Sequence, residues 1–119
     1  MELYSEAEVA VVPSLYEGFS LPAIEAMSCG VPLVTTTGGA LPEVAGSHGV
    51  TCFQVAPGDS EGLAAMLGTV LDQPEARARV GASGRQRVID QWSWHHTALR
   101  TVDQYRALLE ERASSNGSC

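Results

Sequence analysis

The stretch "PSLYEGFSLPAIEAMSCGVPLVTT", residues 13–36, decides the fold. It sets two glutamates, Glu17 and Glu25, eight positions apart around a turn that contains Gly18. Pro22 suits the first position of a helix, because its missing N–H would be unpaired there anyway, and Gly30 suits the left-handed residue past a helix end. The spacing predicts a helix from Pro22 to Ser28 or Cys29. Upstream, "EVAVVPS" (8–14) is a nearly continuous apolar run closed by proline and serine, the pattern of a strand buried on both faces as in parallel sheets. Downstream, "VPLVTTT" (31–37) is β-branched enough for a second strand. Strand, turn, helix and strand follow one another.

The pattern extends in both directions. "MELYSEAE" reads as the end of a helix. After Gly38-Gly39, "LPEVAG" (41–46) can make one helical turn, and "GVTCFQVAPGD" (49–59), with Val50 and Cys52 alternating with polar neighbours, reads as a third strand before the turn residues Pro57, Gly58 and Asp59. A helix capped by Asp59 or Ser60 follows, with Leu63, Met66, Leu67, Val70 and Leu71 on one face. A second, from Pro74 to Asp90, is weakened by Gly81 and Gly84, and its arginines Arg77, Arg79, Arg85 and Arg87 spread around the cylinder as a solvated face. A last helix begins near Ser93 and puts Trp94, Ala98, Val102, Tyr105 and Leu109 on one side, wide enough to dock across the domain or onto a neighbour, with packing on a core as the default expectation. The fold class is α/β: a partial Rossmann-like parallel sheet of about three strands, with flanking helices and a helical C-terminal part. The domain is expected over 1–112 and a flexible polar tail over 113–119.

Composition bounds the partners. At 119 residues, 45% of them apolar, one core is the most the chain supports. Seven basic against fourteen acidic residues leave a net charge of −7, which disfavours nucleic acid and anionic lipid. The sequence has neither a secretory leader nor a run long enough to span a membrane, so a cytoplasmic location is expected. Cys29, Cys52 and Cys119 share no CxxC spacing and read as reduced thiols. His95 and His96 are adjacent, and so diverge on a helix, while His48 stands alone; no metal is expected.

In the turn, Gly18 lets the chain double back and aim N–H groups outward, and these join the positive end of the following helix in a pocket suited to an anion such as phosphate. Glu17 before the turn and Glu25 one helical turn inside can border that pocket while Ile24 faces the core. Carboxylates are natural acceptors for paired sugar hydroxyls. A glycosidase pair is disfavoured: its acid needs an apolar pocket to stay protonated, whereas Glu25 is expected near the positive end of a helix.

The segment Glu17-Gly18-Phe19-Ser20-Leu21-Pro22-Ala23-Ile24-Glu25-Ala26 resembles the E-x7-E segment of retaining GT-B fold glycosyltransferases, the glycosyl transferases group 1, which include sucrose synthases and bacterial mannosyl- and glucosyltransferases. The likeness continues through "AEVAVVPSLYEG" (7–18) and "MSCGVPLVTTTGGALPEV" (27–44), then loosely through "VAPGDSEGLAAML" (55–67) to "WSWHHTALRTVDQYRALL" (92–109). It implies that the chain is the C-terminal portion of a donor-binding domain, without the N-terminal acceptor domain. Glu25 would bind the ribose hydroxyls of a UDP- or GDP-hexose and Glu17 a hydroxyl of the transferred sugar, as the catalytic residue. Amides from Gly18 through Phe19 and Ser20 to Leu21 would meet the sugar and distal phosphate. The family often has glycine where Ser20 stands, so added bulk beside the sugar is expected. By the same resemblance no cofactor or metal takes part, and the Arg/Lys pair that stabilises the leaving diphosphate would lie before residue 1, which makes this chain alone inactive. Gly38-Gly39-Ala40-Leu41-Pro42-Glu43 recurs in relatives as a loop at a strand's carboxyl end, with Glu43 expected to be structural. The alternative is a non-catalytic nucleotide-sugar-binding module, or one that self-associates through an exposed sheet edge as a homo-oligomer.

Overall fold

The computed structural model describes residues 2–117, in two units that meet between Ile89 and Asp90. The first unit runs α1 (Glu2–Glu6), β1 (Ala10–Val12), α2 (Leu21–Ser28), β2 (Leu33–Thr36), α3 (Leu41–Ala45), β3 (Phe53–Val55) and α4 (Ser60–Leu71), and it holds most of α5 (Pro74–Gln91). The three strands form one parallel sheet in the order β1-β2-β3, with Val11 opposite Val34 and Thr35 opposite Gln54. Parallel neighbours need a crossover between them, and α2 and α3 supply it.

The sheet is covered on both faces only in the middle. All four residues of β2 are buried, whereas Val11 of β1 is 38% exposed, so β1 is an edge and not the doubly buried strand its apolar run suggests. Helix α2 packs its Ala23, Ala26 and Met27 inward at the i, i+3, i+4 spacing of one helical face. Ile24, expected to face the core, is only half-buried. Burying Met27, Leu33 and Leu41 fully contributes about 1.5–3 kcal/mol each. A second cluster joins Val34 and Phe53 of the sheet to Val70 of α4 and Val80 of α5, with Leu63, Met66, Leu67 and Ala76 packed around it. The apolar face read for α4 is therefore the one that docks, except that Leu71 stays 43% exposed. The third strand is shorter than its sequence suggests: Val50 lies in a turn ahead of it, and is exposed.

Helix α5 passes the amino ends of the strands. A Cβ on Gly81 would overlap the carbonyl oxygen of Gly30, and one on Gly84 would lie 2.8 Å from that of Thr51. The two residues that weaken the helix locally thus permit its backbone to approach the chain just before β2 and β3. Two of its arginines are not merely solvated. Arg77 donates to the carbonyls of Val70 and Leu71 at the end of α4, and Arg87 to those of Val44, at 3.0 Å, and Glu43, at 2.6 Å, at the end of α3. A cation there satisfies orphan carbonyls and meets the negative end of the dipole.

In the second unit, Ser93 caps α6 (Trp94–Asn116) by accepting from the His96 amide at 3.2 Å. None of its described residues is buried, and Trp94 is 89% exposed, contrary to the core packing expected from its apolar side. The helix also runs into the segment expected to be a tail: the hydroxyls of Ser114 and Ser115 donate to the carbonyls four residues back, those of Glu110 and Glu111. Ser118 and Cys119 lie outside the described residues. No helix among the described residues is long and apolar enough to cross a membrane.

Candidate functional site

The loops at the carboxyl ends of all three strands are where an open parallel sheet binds its ligands. The one after β1, residues 13–20, carries the turn. Its last residue, Ser20, is extended (φ −114°, ψ 99°) and N-caps α2, accepting from the Ala23 amide at 3.3 Å. Ser20 is 1% exposed, so its hydroxyl lies inside the fold as a cap and adds no bulk to the outer face. This cap and Pro22 start the helix at Leu21, one residue earlier than proline alone suggests. Among the described residues, the amides of Gly18 and Leu21 find no protein acceptor. Both stand at the positive end of α2, where an anion is favoured.

The two glutamates differ in setting. Glu17 is half-buried, and its Oε1 accepts from the Ser14 hydroxyl at 2.8 Å. Glu25 is exposed on the outer face of α2, and its Oε2 accepts from the Tyr4 phenol of α1 at 3.4 Å. Desolvation first, and then the negative charge of Glu25, hold the Tyr4 phenol above its ordinary value. Around the turn Leu15, Tyr16, Phe19 and Leu21 are all exposed.

The loop after β2 lies flush against this turn. The Thr36 hydroxyl donates to the Ser14 carbonyl at 2.5 Å and accepts from the Gly38 amide at 3.2 Å, and the Ala40 amide donates to the Glu17 carbonyl at 2.7 Å. A Cβ on Gly38 would overlap the Leu15 oxygen, and one on Gly39, where φ is +58°, the Glu17 oxygen. These partners of Glu17 are not apparent from the E-x7-E spacing. The available signal was a hydroxyl three residues before the glutamate and another closing the next strand. The loop after β3 borders a separate hollow of about 160 Å³, lined by Pro13, Thr36, Val55, Gly58, Asp59 and Leu63, to which neither glutamate contributes.

His48 Nδ1 accepts from the Gln54 amide at 2.8 Å, and the ring stands edge-on to Phe53 at 6.2 Å, which covers the outer edge of β3. Glu43 is exposed and offers its backbone carbonyl to Arg87. Cys52 is buried, which pushes its thiol up to about 11, and Cys29 is half-buried; both are reduced. No group of three or more His, Cys, Asp or Glu among the described residues could hold a metal ion.

The family of glycosyl transferases group 1 matches residues 1–87. Over 112 residues the chain is 46% identical to the MMP alpha-(1->4)-mannosyltransferase of Mycolicibacterium hassiacum, covering 94% of this chain and 27% of that protein. Its fold superposes on sucrose-phosphate synthase from Thermosynechococcus elongatus with a TM-score of 0.82 and 38% identity, over 92% of this chain and 27% of that one. It also superposes on HepE of Anabaena in complex with UDP-glucose, with a TM-score of 0.75 and 26% identity, over 96% of this chain and 29% of that one. The chain thus spans about a quarter of the length of these relatives. With a parallel sheet of matching fold and a family match over most of its length, this chain belongs to the glycosyl transferases group 1 family and carries part of its GT-B fold.

Proposed function

We propose that this chain is part of the donor-binding domain of a retaining glycosyltransferase and holds a nucleotide sugar at its E-x7-E turn and helix. Glu25 accepts the ribose hydroxyls, Glu17 accepts a hydroxyl of the transferred hexose, and the amides from Gly18 to Leu21 meet the sugar and the distal phosphate. One observation carries this reading: a half-buried carboxylate and an exposed one flank a capped helix start, at the carboxyl end of a parallel strand, with two amides that lack a protein acceptor. The UDP-glucose complex of HepE supports a nucleotide sugar as ligand. All seven basic residues follow residue 76, on α5 and α6, so residues 1–76 offer no side-chain cation to a leaving diphosphate. Charge stabilisation of that kind is often the largest catalytic contribution, and on these residues alone the chain binds without turnover. No metal takes part.

Titration of the isotope-labelled chain with UDP-glucose and with GDP-mannose tests the assignment. Amide shifts are expected at Gly18, Phe19, Ser20, Leu21 and Glu25, and Glu25→Gln should weaken binding at least about tenfold, the loss expected for a charged hydrogen bond. Spectra unchanged at millimolar ligand would overturn it. They would favour the second reading, self-association through the β1 edge, on which Val11 is exposed; sedimentation velocity would then show a dimer.

A further inference from the structure

We propose that Ser14 and Thr36, together with the Gly38-Gly39 backbone, form a positioning clamp that holds Glu17 for the sugar half of the donor; this rests on the donor-site reading above. Thr36 closes β2 and is 3% exposed, so its hydroxyl starts from the rigid centre of the sheet. It donates to the Ser14 carbonyl, which fixes the backbone of the residue whose hydroxyl then donates to Glu17 Oε1. The other end of the same four-residue span is held by the Ala40 amide on the Glu17 carbonyl. Between the two ends the 38–39 backbone leaves no space for a Cβ, so the span cannot drift toward β2.

A free glutamate loses rotamer freedom when it is ordered, and a loop residue loses backbone freedom as well. A clamp in place before the ligand arrives removes much of that cost from the binding step. One carboxylate oxygen is engaged by Ser14, and Oε2 is left to accept from a ligand hydroxyl. The clamp touches Glu17 and not Glu25, so it acts on recognition of the hexose and leaves recognition of the nucleotide alone. Ser14 and Thr36 are positioning residues: they act through Glu17.

Two measurements on this chain test the clamp. First, affinities for UDP and UDP-glucose are compared in the wild type, Ser14→Ala and Ser14→Thr, with GDP and GDP-mannose in parallel. Ser14→Ala should weaken the nucleotide sugar about tenfold and leave the nucleotide within about twofold, and Ser14→Thr, which keeps a hydroxyl, should restore the difference. Equal loss for both ligands, or no loss, overturns the clamp while leaving the donor site standing. Binding of neither ligand by the wild type refutes the donor site itself. The second measurement needs no ligand: three-bond couplings of Glu17 should report one χ1 rotamer in the wild type, averaged rotamers in Ser14→Ala and Thr36→Val, and one rotamer again in Thr36→Ser. An averaged Glu17 in the wild type overturns the clamp.

Discussion

Ser20 and Cys52 show how one buried atom sets a local property. The Ser20 hydroxyl is both the cap of α2 and nearly inaccessible, so Ser20→Ala removes the acceptor of the Ala23 amide without opening a path for water. A loss of about 1 kcal/mol is expected, within the usual range for caps, and urea unfolding would measure it. Cys52 is held protonated by burial, against smaller opposing effects of the Thr51 hydroxyl and the Arg87 charge. The folded value lies above the unfolded one, so this contribution to stability is complete below the ordinary thiol value of 9.0 and is lost as pH rises through about 11. Stability should fall across that window in the wild type and less steeply in Cys52→Ala. At pH 8 Cys52 should resist alkylation until the chain is unfolded.

At the scale of elements, the same residue type has opposite meanings. A Cβ on Gly68 of α4 would meet nothing within 4 Å, and Gly68→Ala should stabilise the chain by about 0.5–1 kcal/mol through helix propensity. Gly81 on α5 faces the Gly30 carbonyl, and Gly81→Ala should instead cost about 1–3 kcal/mol, because α5 must move off the sheet. Thermal or urea unfolding of the pair distinguishes them by sign. From the sequence both are helix-weakening glycines; only the neighbour each meets across the fold separates them. Arg77 and Arg87 repeat the lesson. Their spread around the helix is legible, but the carbonyls they cap belong to α4 and α3, seven and more than forty residues away in sequence.

For the whole molecule, charge distribution matters more than net charge. Residues 1–76 hold ten acidic side chains and no arginine or lysine, so the turn lies in a part of the chain whose side chains repel a diphosphate. Salt screens such repulsion, with a Debye length of about 30 Å at 0.01 M and about 8 Å at 0.15 M. Affinity for UDP-glucose should therefore rise, or at least not fall, over that range, and calorimetry at three ionic strengths would show it. A steep fall would mean that an unassigned cation carries the binding. Burial also predicts a gradient of protection. Amides of β2, all of whose residues are buried, should exchange only with global opening, whereas those of α6, none of whose described residues is buried, should exchange through local fraying.

The strands, the stop of α2 and the Asp59 cap were legible in the sequence, because apolar period, proline and glycine placement and capping are properties of near neighbours in the chain. That a turn feeds the helix carrying Glu25 was legible for the same reason: the two are contiguous in the chain. The conformational freedom read for Gly18 is not used, since its φ is not positive and a Cβ there would meet nothing within 4 Å. Which strand is an edge, which glycines are contacts, which arginines are caps and what holds Glu17 were decided by tertiary structure alone. Except for Arg77, seven residues from Val70, and Ser14, three from Glu17, each depends on a group brought close from a distant part of the chain, as Thr36 is to Ser14, and no local pattern encodes that proximity.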